Sequence, residues 1–426
     1  MRRIGLVGMA LLPGLLLAAA PLAARTPEQV AEAALRAAPV FDGHNDTPIQ
    51  LRGRYHDMIA DFDFRDTTDT GNPEAEETWK ARAMHTDLAR LRRGHVGAQF
   101  WSVFVTTELT EPEAVRATLE QIDVTRRLVA RYPGDMQLAL TADDVERAMA
   151  RGRIASLMGI EGGHAIGSSL GVLRQMYALG VRYMTLTHSK NTPWADSATD
   201  APEHHGLTDF GRDVVREMNR LGMLVDLSHV SAETMRNALD VARAPVIFSH
   251  SGARAVNGHA RNVPDDVLAR LTTNGGIVMA IALPGYVSEA ARQWFADHEA
   301  EKARQDTLWQ GQPDKAAEAL AAWEAEHPEP PTTISDMADH IDHIRAVAGI
   351  DHIGIGGDYD GMKSGPVGME DVSGYPALFR ELARRGYSRD DLEKISSRNI
   401  LRVMRAAEAY AAARRGDPPI ETPVPE

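Results

Sequence analysis

The chain has 426 residues, 43% of them hydrophobic and 25% charged, with a formal net charge of -14 and no cysteine. That is ample material for a large core, and an acidic balance without a long basic run argues against a nucleic-acid surface, which needs clustered Lys and Arg against phosphates. The missing sulfur excludes disulfides, thiolate metal sites and a cysteine nucleophile, so any metal must be held by His, Asp and Glu.

The first residues, "MRRIGLVGMALLPGLLLAAAPLAAR", set Arg2 and Arg3 ahead of an apolar run that ends in small residues. This is the pattern of an export signal over residues 1–24, with an uncleaved anchor as the alternative. The expectation is an exported bacterial protein, periplasmic or secreted. No second segment is apolar enough to span a bilayer, so no stable membrane insertion is expected after cleavage.

Beyond the signal, apolar and β-branched runs alternate with helical periodicity. The runs are "PVFDGH" (39–44), "GAQFWSVFV" (97–105), "IASLMGIEG" (154–162), "VRYMTLTH" (181–188), "MLVDLSH" (223–229), "PVIFSH" (245–250), "GIVMAIAL" (276–283) and "HIGIGGD" (352–358). Helices are expected over 113–131, 142–151, 168–179, 207–221, 231–241, 264–273 and 335–348. Alternation over this length predicts an α/β fold with a parallel sheet, and eight repeats predict a (β/α)8 TIM-like barrel. Two connections are long. Residues 51–96 read as a lid or rim, and residues 287–334 as a helical insertion ending at the proline-rich "HPEPPTT". A single domain over 25–412 is expected, followed by a disordered Pro-rich tail over 413–426.

The first strand ends in His44-x-Asp46. On extended chain, i and i+2 face one side, so the pair reads either as metal ligands or as a polar loop. The other strands decide between these. Glu161, His188, His229, His250 and Asp358 each stand at the end of one of them. In a barrel those C-terminal ends converge on one face, where such folds keep their chemistry. Histidines and carboxylates without sulfur suit zinc or a similar divalent ion. The ligands are too many for one tetrahedral ion, and two ions sharing a carboxylate is the economical solution, with Glu161 the natural bridge.

The stretches "DGHNDTP", "EGGHAIGSSLGVLR", "LTHSKNTPWADS", "VDLSHVS", "PVIFSHS", "RNVPDDVL" and "GIGGDYDG" resemble the membrane (renal) dipeptidases, zinc peptidases of the amidohydrolase-like barrel group. The likeness runs in order from about Val40 to Arg405, interrupted by residues 287–334. It implies two Zn2+ per chain, with His44 and Asp46 on one, His229 and His250 on the other, and Glu161 bridging. It implies that His188 stabilises the oxyanion and that Arg261 holds the free C-terminal carboxylate of a dipeptide. Asp358 would take a proton from the bridging water and pass one to the leaving amine. Tyr286 reads either as pocket wall or as a half-exposed loop residue. The activity implied is hydrolysis of free dipeptides by attack of a metal-bridging hydroxide, tolerant of a D-residue at the C-terminal position, with β-lactams as a side activity. The animal members are disulfide-linked and lipid-anchored; lacking cysteine, this chain is left with a non-covalent homodimer as the expected association. Another amide or cyclic-amide hydrolase on the same barrel, which would not need Arg261, is the alternative. A non-catalytic barrel would lack a ligand, and none is missing.

Other histidines carry weaker expectations. His164 is displaced past its strand by two glycines. His204 and His205 read as solvent-facing, and His340 and His343 as an outer helix surface. "GSSLG" (167–171) lacks the lysine and spacing of a phosphate loop and reads as a helix cap.

Overall fold

The computed structural model describes residues 25–75 and 79–422; the expected export signal lies outside them. Nine strands, all parallel, run β1 Val40–Asn45, β2 Val96–Phe104, β3 Met136–Leu138, β4 Ile154–Glu161, β5 Val181–Thr185, β6 Leu224–Asp226, β7 Ile247–Ser251, β8 Ile277–Ala280 and β9 Ile353–Ile355. Eight of them close on themselves in the order β2-β1-β9-β8-β7-β6-β5-β4, with β4 returning to β2. This is the expected (β/α)8 TIM-like barrel. The unexpected strand is β3. It pairs with the first residues of β4 only, and β5 takes over from Met158 onward. Three residues with no alternating pattern leave too little periodicity for sequence to reveal.

The strands read as continuous apolar runs because a parallel barrel buries both faces. β1 and β4 are buried from end to end. The longest register, β2 on β4, runs unbroken from Ala98 opposite Ala155 to Phe104 opposite Glu161, which fixes Glu161 at the top of its strand.

Helices fill the connections close to the expected bounds: Glu111–Arg131, Ala142–Ala150, Leu170–Ala178, Asp209–Leu221, Ala232–Val241, Asp265–Asn274 and Ile334–Ala348. Side-chain caps set several starts. Thr141, Ser169, Thr208, Ser231 and Thr333 each accept from the backbone three residues on. Such a cap contributes about 1 kcal/mol. Ser169 belongs to "GSSLG", which is therefore a cap as expected. Helices Pro27–Ala37, Thr47–Tyr55, Tyr375–Arg384 and Asn399–Ala412 are additional. Among the described residues, no helix is long and apolar enough to cross a membrane.

Within 287–334, helices Glu289–Leu308 and Pro313–Glu326 pack on each other. Trp294 stacks on His298, lies against Trp323 and donates its indole N–H to the His327 carbonyl at 2.7 Å. The hairpin is thus pinned largely by its own aromatic residues.

The described part of the expected disordered tail differs from that expectation. Ile420 packs against the core, its N–H donates to Glu217 at 3.3 Å, and its carbonyl accepts from Arg174 at 3.1 Å. A buried carboxylate already paired with Arg174 and Arg220 anchors this stretch, a tertiary effect that composition does not reveal.

Candidate active site

The strand ends deliver their polar side chains in two ways. His44, Glu161 and His250 lie within β1, β4 and β7. His188, His229 and Asp358 lie three residues beyond the last residues of β5, β6 and β9, strands that stop earlier than their apolar runs suggest. His229 (φ 68°) and Asp358 (φ 64°) are left-handed. That conformation costs an L-residue about 1 kcal/mol or more and collects at functional sites.

The side chains meet around Glu161. Its Oε1 lies 2.9 Å from His229 Nε2, 3.5 Å from His250 Nε2 and 3.7 Å from His188 Nε2. Its Oε2 lies 3.3 Å from His44 Nε2 and accepts from Ser102 Oγ at 3.0 Å. His44 Nε2 is also 3.4 Å from Asp46 Oδ2. Three overlapping triads, His44/Glu161/His250, Glu161/His188/His229 and His44/Asp46/Asp358, each bring their ligand atoms within 4.8 Å of one another. Every metal ligand expected from the sequence is in this cluster, with Glu161 in two of the triads. Gly361 closes it: a Cβ there would stand 2.2 Å from Asp46 Oδ2 and 2.8 Å from Asp358 Oδ1.

Buried carboxylates beneath the cluster orient it, and the sequence reading missed them. Asp226 accepts from Ser249 Oγ at 2.6 Å, and Ser249 Oγ lies 2.8 Å from His250 Nδ1. A carboxylate only accepts, so the serine proton goes to Asp226 and its oxygen receives the His250 Nδ1–H. The Nε2 lone pair of His250 is then turned into the cluster. Asp42 accepts from the His44 and Gly357 N–H groups and from Tyr375 Oη. Tyr183 Oη meets His44 Nδ1 at 2.9 Å, and its ring lies on Gly159, where any Cβ would be 2.0 Å from it. A signal was available: an aspartate inside an apolar strand run, as in "VFDGH" and "LVDLSH", is costly to bury without partners.

Burial lowers the pKa values of His229 and His250 well below the ordinary imidazole range, reinforced by Arg261 and neighbouring rings, and lowers His188 as well. These are neutral imidazoles with lone pairs to offer. Burial alone would raise Glu161, yet His44 and His229 hold it well below the usual carboxylate range. His44 moves the other way: burial opposes its charge, but Tyr183 and the Glu161 and Asp46 carboxylates hold it well above. Burial also raises Tyr183, keeping its hydroxyl neutral, so the carboxylates are the cause for His44. Burial and the charge of Asp46 raise Asp358 well above the usual carboxylate value. Asp46, Glu161 and Asp358 crowd three carboxyl groups around His44. His44 Nε2, buried with no hydrogen-bond partner, faces two carboxylate oxygens. Orphaned nitrogen, neutral imidazoles and crowded carboxylates fit divalent cations.

The cluster forms the floor of a cavity of about 640 Å³. Arg261 reaches its wall and is 1% exposed. Its Nε has no hydrogen-bond partner among the described residues, and its Nη atoms make only long contacts, 3.5 Å to Ser251 Oγ and 3.4 Å to the His250 carbonyl. Tyr286, expected either as pocket wall or as a loop tyrosine, is pocket wall, with its ring 5.3 Å from the Arg261 guanidinium. Further wall comes from the long β1–β2 connection, including Trp79, Arg82 and His85, which the sequence shows only as an undifferentiated rim.

The histidines with weaker expectations do not line the cavity. His164 Nε2 contacts the Val105 carbonyl, and His204 Nε2 the Thr192 carbonyl. His343 pairs with Asp265. His340 differs from expectation: it is buried, with Nδ1 accepting from the Ala253 N–H and Nε2 on the Val287 carbonyl. It locks the loop after β7 to the outer helix, a role set by tertiary packing.

The membrane dipeptidase family (peptidase family M19) matches residues 28–417. The chain is 42% identical over 400 residues to dipeptidase 3 of Macaca fascicularis, covering 93% of this chain and 70% of that protein. It is 42% identical over 395 residues to dipeptidase tcpJ of Claviceps purpurea, covering 90% and 81%. The fold is similar to that of the probable dipeptidase PvdM from Pseudomonas aeruginosa, with TM-score 0.75, 24% identity and 90% and 99% coverage. It is also similar to that of a metallo peptidase from Rhodobacter sphaeroides liganded with a phosphinate mimic of L-Ala-D-Ala, with TM-score 0.68, 23% identity and 87% and 99% coverage.

Proposed function

The chain belongs to the membrane dipeptidase family of metal-dependent peptide hydrolases, and from that premise we propose that it cleaves free dipeptides with two zinc ions. His44, Asp46, Glu161, His229 and His250 would hold the ions, with Glu161 shared between them. When bound, such ions acidify a water and polarise the scissile carbonyl.

The observation that carries the substrate reading is Arg261. A buried guanidinium with an unpartnered Nε and only long Nη contacts is costly until a carboxylate arrives. The free C-terminus of a dipeptide supplies one, in a charge-assisted contact. A longer peptide has no carboxylate at that distance from the scissile bond. His188, the most exposed imidazole of the cluster, would donate to the carbonyl oxygen as charge develops there. Asp358, whose carboxyl holds a proton more readily than usual, would take one at the floor and deliver it to the departing nitrogen. The phosphinate mimic of L-Ala-D-Ala in the Rhodobacter sphaeroides neighbour supports tolerance of a D-residue at the C-terminal position. The N-terminal "RRIGLVGMALLPGLLLAAA" supports an exported enzyme.

The test is hydrolysis of Gly-D-Ala, L-Ala-L-Ala, an N-blocked dipeptide and a tripeptide, with and without chelator and beside Arg261→Ala. Chelator-sensitive cleavage of the two free dipeptides, with the tripeptide spared and Arg261→Ala slower by about a hundredfold, is expected. Equal cleavage of the tripeptide would overturn the role of Arg261 and favour a broader amide hydrolase.

A further inference from the structure

Two donors on the cavity wall are left over by the chemistry above. Arg82 lines the cavity, and its Nη1 is buried with no hydrogen-bond partner among the described residues. No described carboxylate lies within ion-pair distance of it. Lys363, also at the wall, is already matched by Glu329 at 2.9 Å. Arg54, its neighbour in the rim, is likewise spent, donating to the carbonyls of Thr70, Trp79, Lys80 and Arg82.

His85 is the second donor. Its Nδ1 accepts the Asp360 backbone N–H at 3.1 Å, while the His85 backbone N–H donates to Asp360 Oδ1 at 2.6 Å. With Nδ1 accepting, the neutral ring carries its hydrogen on Nε2, which has no partner among the described residues. Burial keeps the ring neutral. The Asp360 carboxylate accepts from the His85 backbone N–H and from Thr47 Oγ1 at 2.9 Å and forms no ion pair with Arg82.

The topology says which end of a substrate meets these donors. Arg261 follows β7, while the rim bearing Arg82 and His85 follows β1, three strands round the eight-stranded barrel. With the C-terminal carboxylate on Arg261 and the scissile bond over the floor, the N-terminal residue points toward the rim. We propose that the enzyme favours dipeptides whose N-terminal residue carries a carboxylate side chain, Glu or Asp, gripped by Arg82 and His85. Met84, Met362 and Trp79 line the same cavity and offer apolar surface to the methylenes of that side chain. The inference rests on the dipeptidase reading above.

The experiment compares kcat/KM for L-Glu-L-Ala, L-Gln-L-Ala and L-Ala-L-Ala in wild type, Arg82→Gln and Arg82→Lys. Glu and Gln share shape and differ in charge. The wild type is expected to favour Glu-Ala over Gln-Ala by about tenfold or more. The ratio should fall to near one in Arg82→Gln and partly recover in Arg82→Lys. Equal use of Glu-Ala and Gln-Ala by the wild type would overturn the proposal without any variant. So would an Arg82→Gln enzyme that slows on both yet keeps their ratio, since a structural role predicts that result. Cleavage of none of the three dipeptides would overturn the dipeptidase reading itself, and the preference with it.

Discussion

The floor and the rim of the cavity are built on opposite principles. The floor draws each polar side chain from a different strand end, and a buried hydrogen-bonded layer of Asp42, Tyr183, Asp226 and Ser249 fixes its orientation. The rim comes from one long connection with little regular structure, held by Arg54 reaching four backbone carbonyls. A floor made by the barrel is rigid because the whole core would have to move to change it. A rim held by a few side chains, Arg54 foremost and His85 on Asp360, can change with less disturbance to the chemistry below. On the proposals above, the reaction and the grip on the C-terminal carboxylate belong to the barrel, and the preference for the N-terminal residue to the rim.

Four substitutions break or sharpen that contrast. The largest effect is expected for Asp358→Asn, which keeps shape but removes the proton carrier. kcat should fall by about 10²–10⁴-fold with KM little changed, read by steady-state kinetics. Next is Asp226→Asn. The new amide would point hydrogens at Ser249 and Thr185, which already donate to that position. His250 loses its tautomer lock, and about 10–100-fold in metal affinity or activity should go with it, measured by chelator competition. Gly159→Ala strikes the same layer through packing: the methyl collides with the Tyr183 ring. Overpacking of this kind costs about 1–3 kcal/mol, read in a denaturant melt. Arg54→Ala should be the mildest for chemistry, with KM up severalfold and kcat within about twofold, because it loosens only the rim. If Arg54→Ala lowered kcat as much as Asp226→Asn, floor and rim would not be separable.

The same contrast explains what was legible in the sequence. His44, Asp46, Glu161, His188, His229, His250 and Asp358 stand where apolar runs stop, and a barrel gathers such stops on one face, so pattern alone assembled the floor. Arg261 became visible only through the likeness of "RNVPDD", since nothing in its spacing places it over the cavity. Arg82 and His85 had no signal at all. They sit in a connection without periodicity, and tertiary contacts, Arg54 on the Arg82 carbonyl and His85 on Asp360, bring them to the wall. Helix Thr47–Tyr55 escaped notice because "TPIQLRGRY" is short and weakly amphipathic. The docked Ile420 shows that even a proline-rich tail is placed by a partner far away in the chain, here Glu217.

The central claim is that Glu161 ties two metal ions into one floor. Metal content per chain, by inductively coupled plasma mass spectrometry on wild type and Glu161→Gln purified without added chelator, tests it most directly. The account predicts two zinc ions per wild-type chain and a loss of more than one in Glu161→Gln, because both sites share that carboxylate. A Glu161→Gln protein that keeps two ions, or a wild type that holds one, would contradict it.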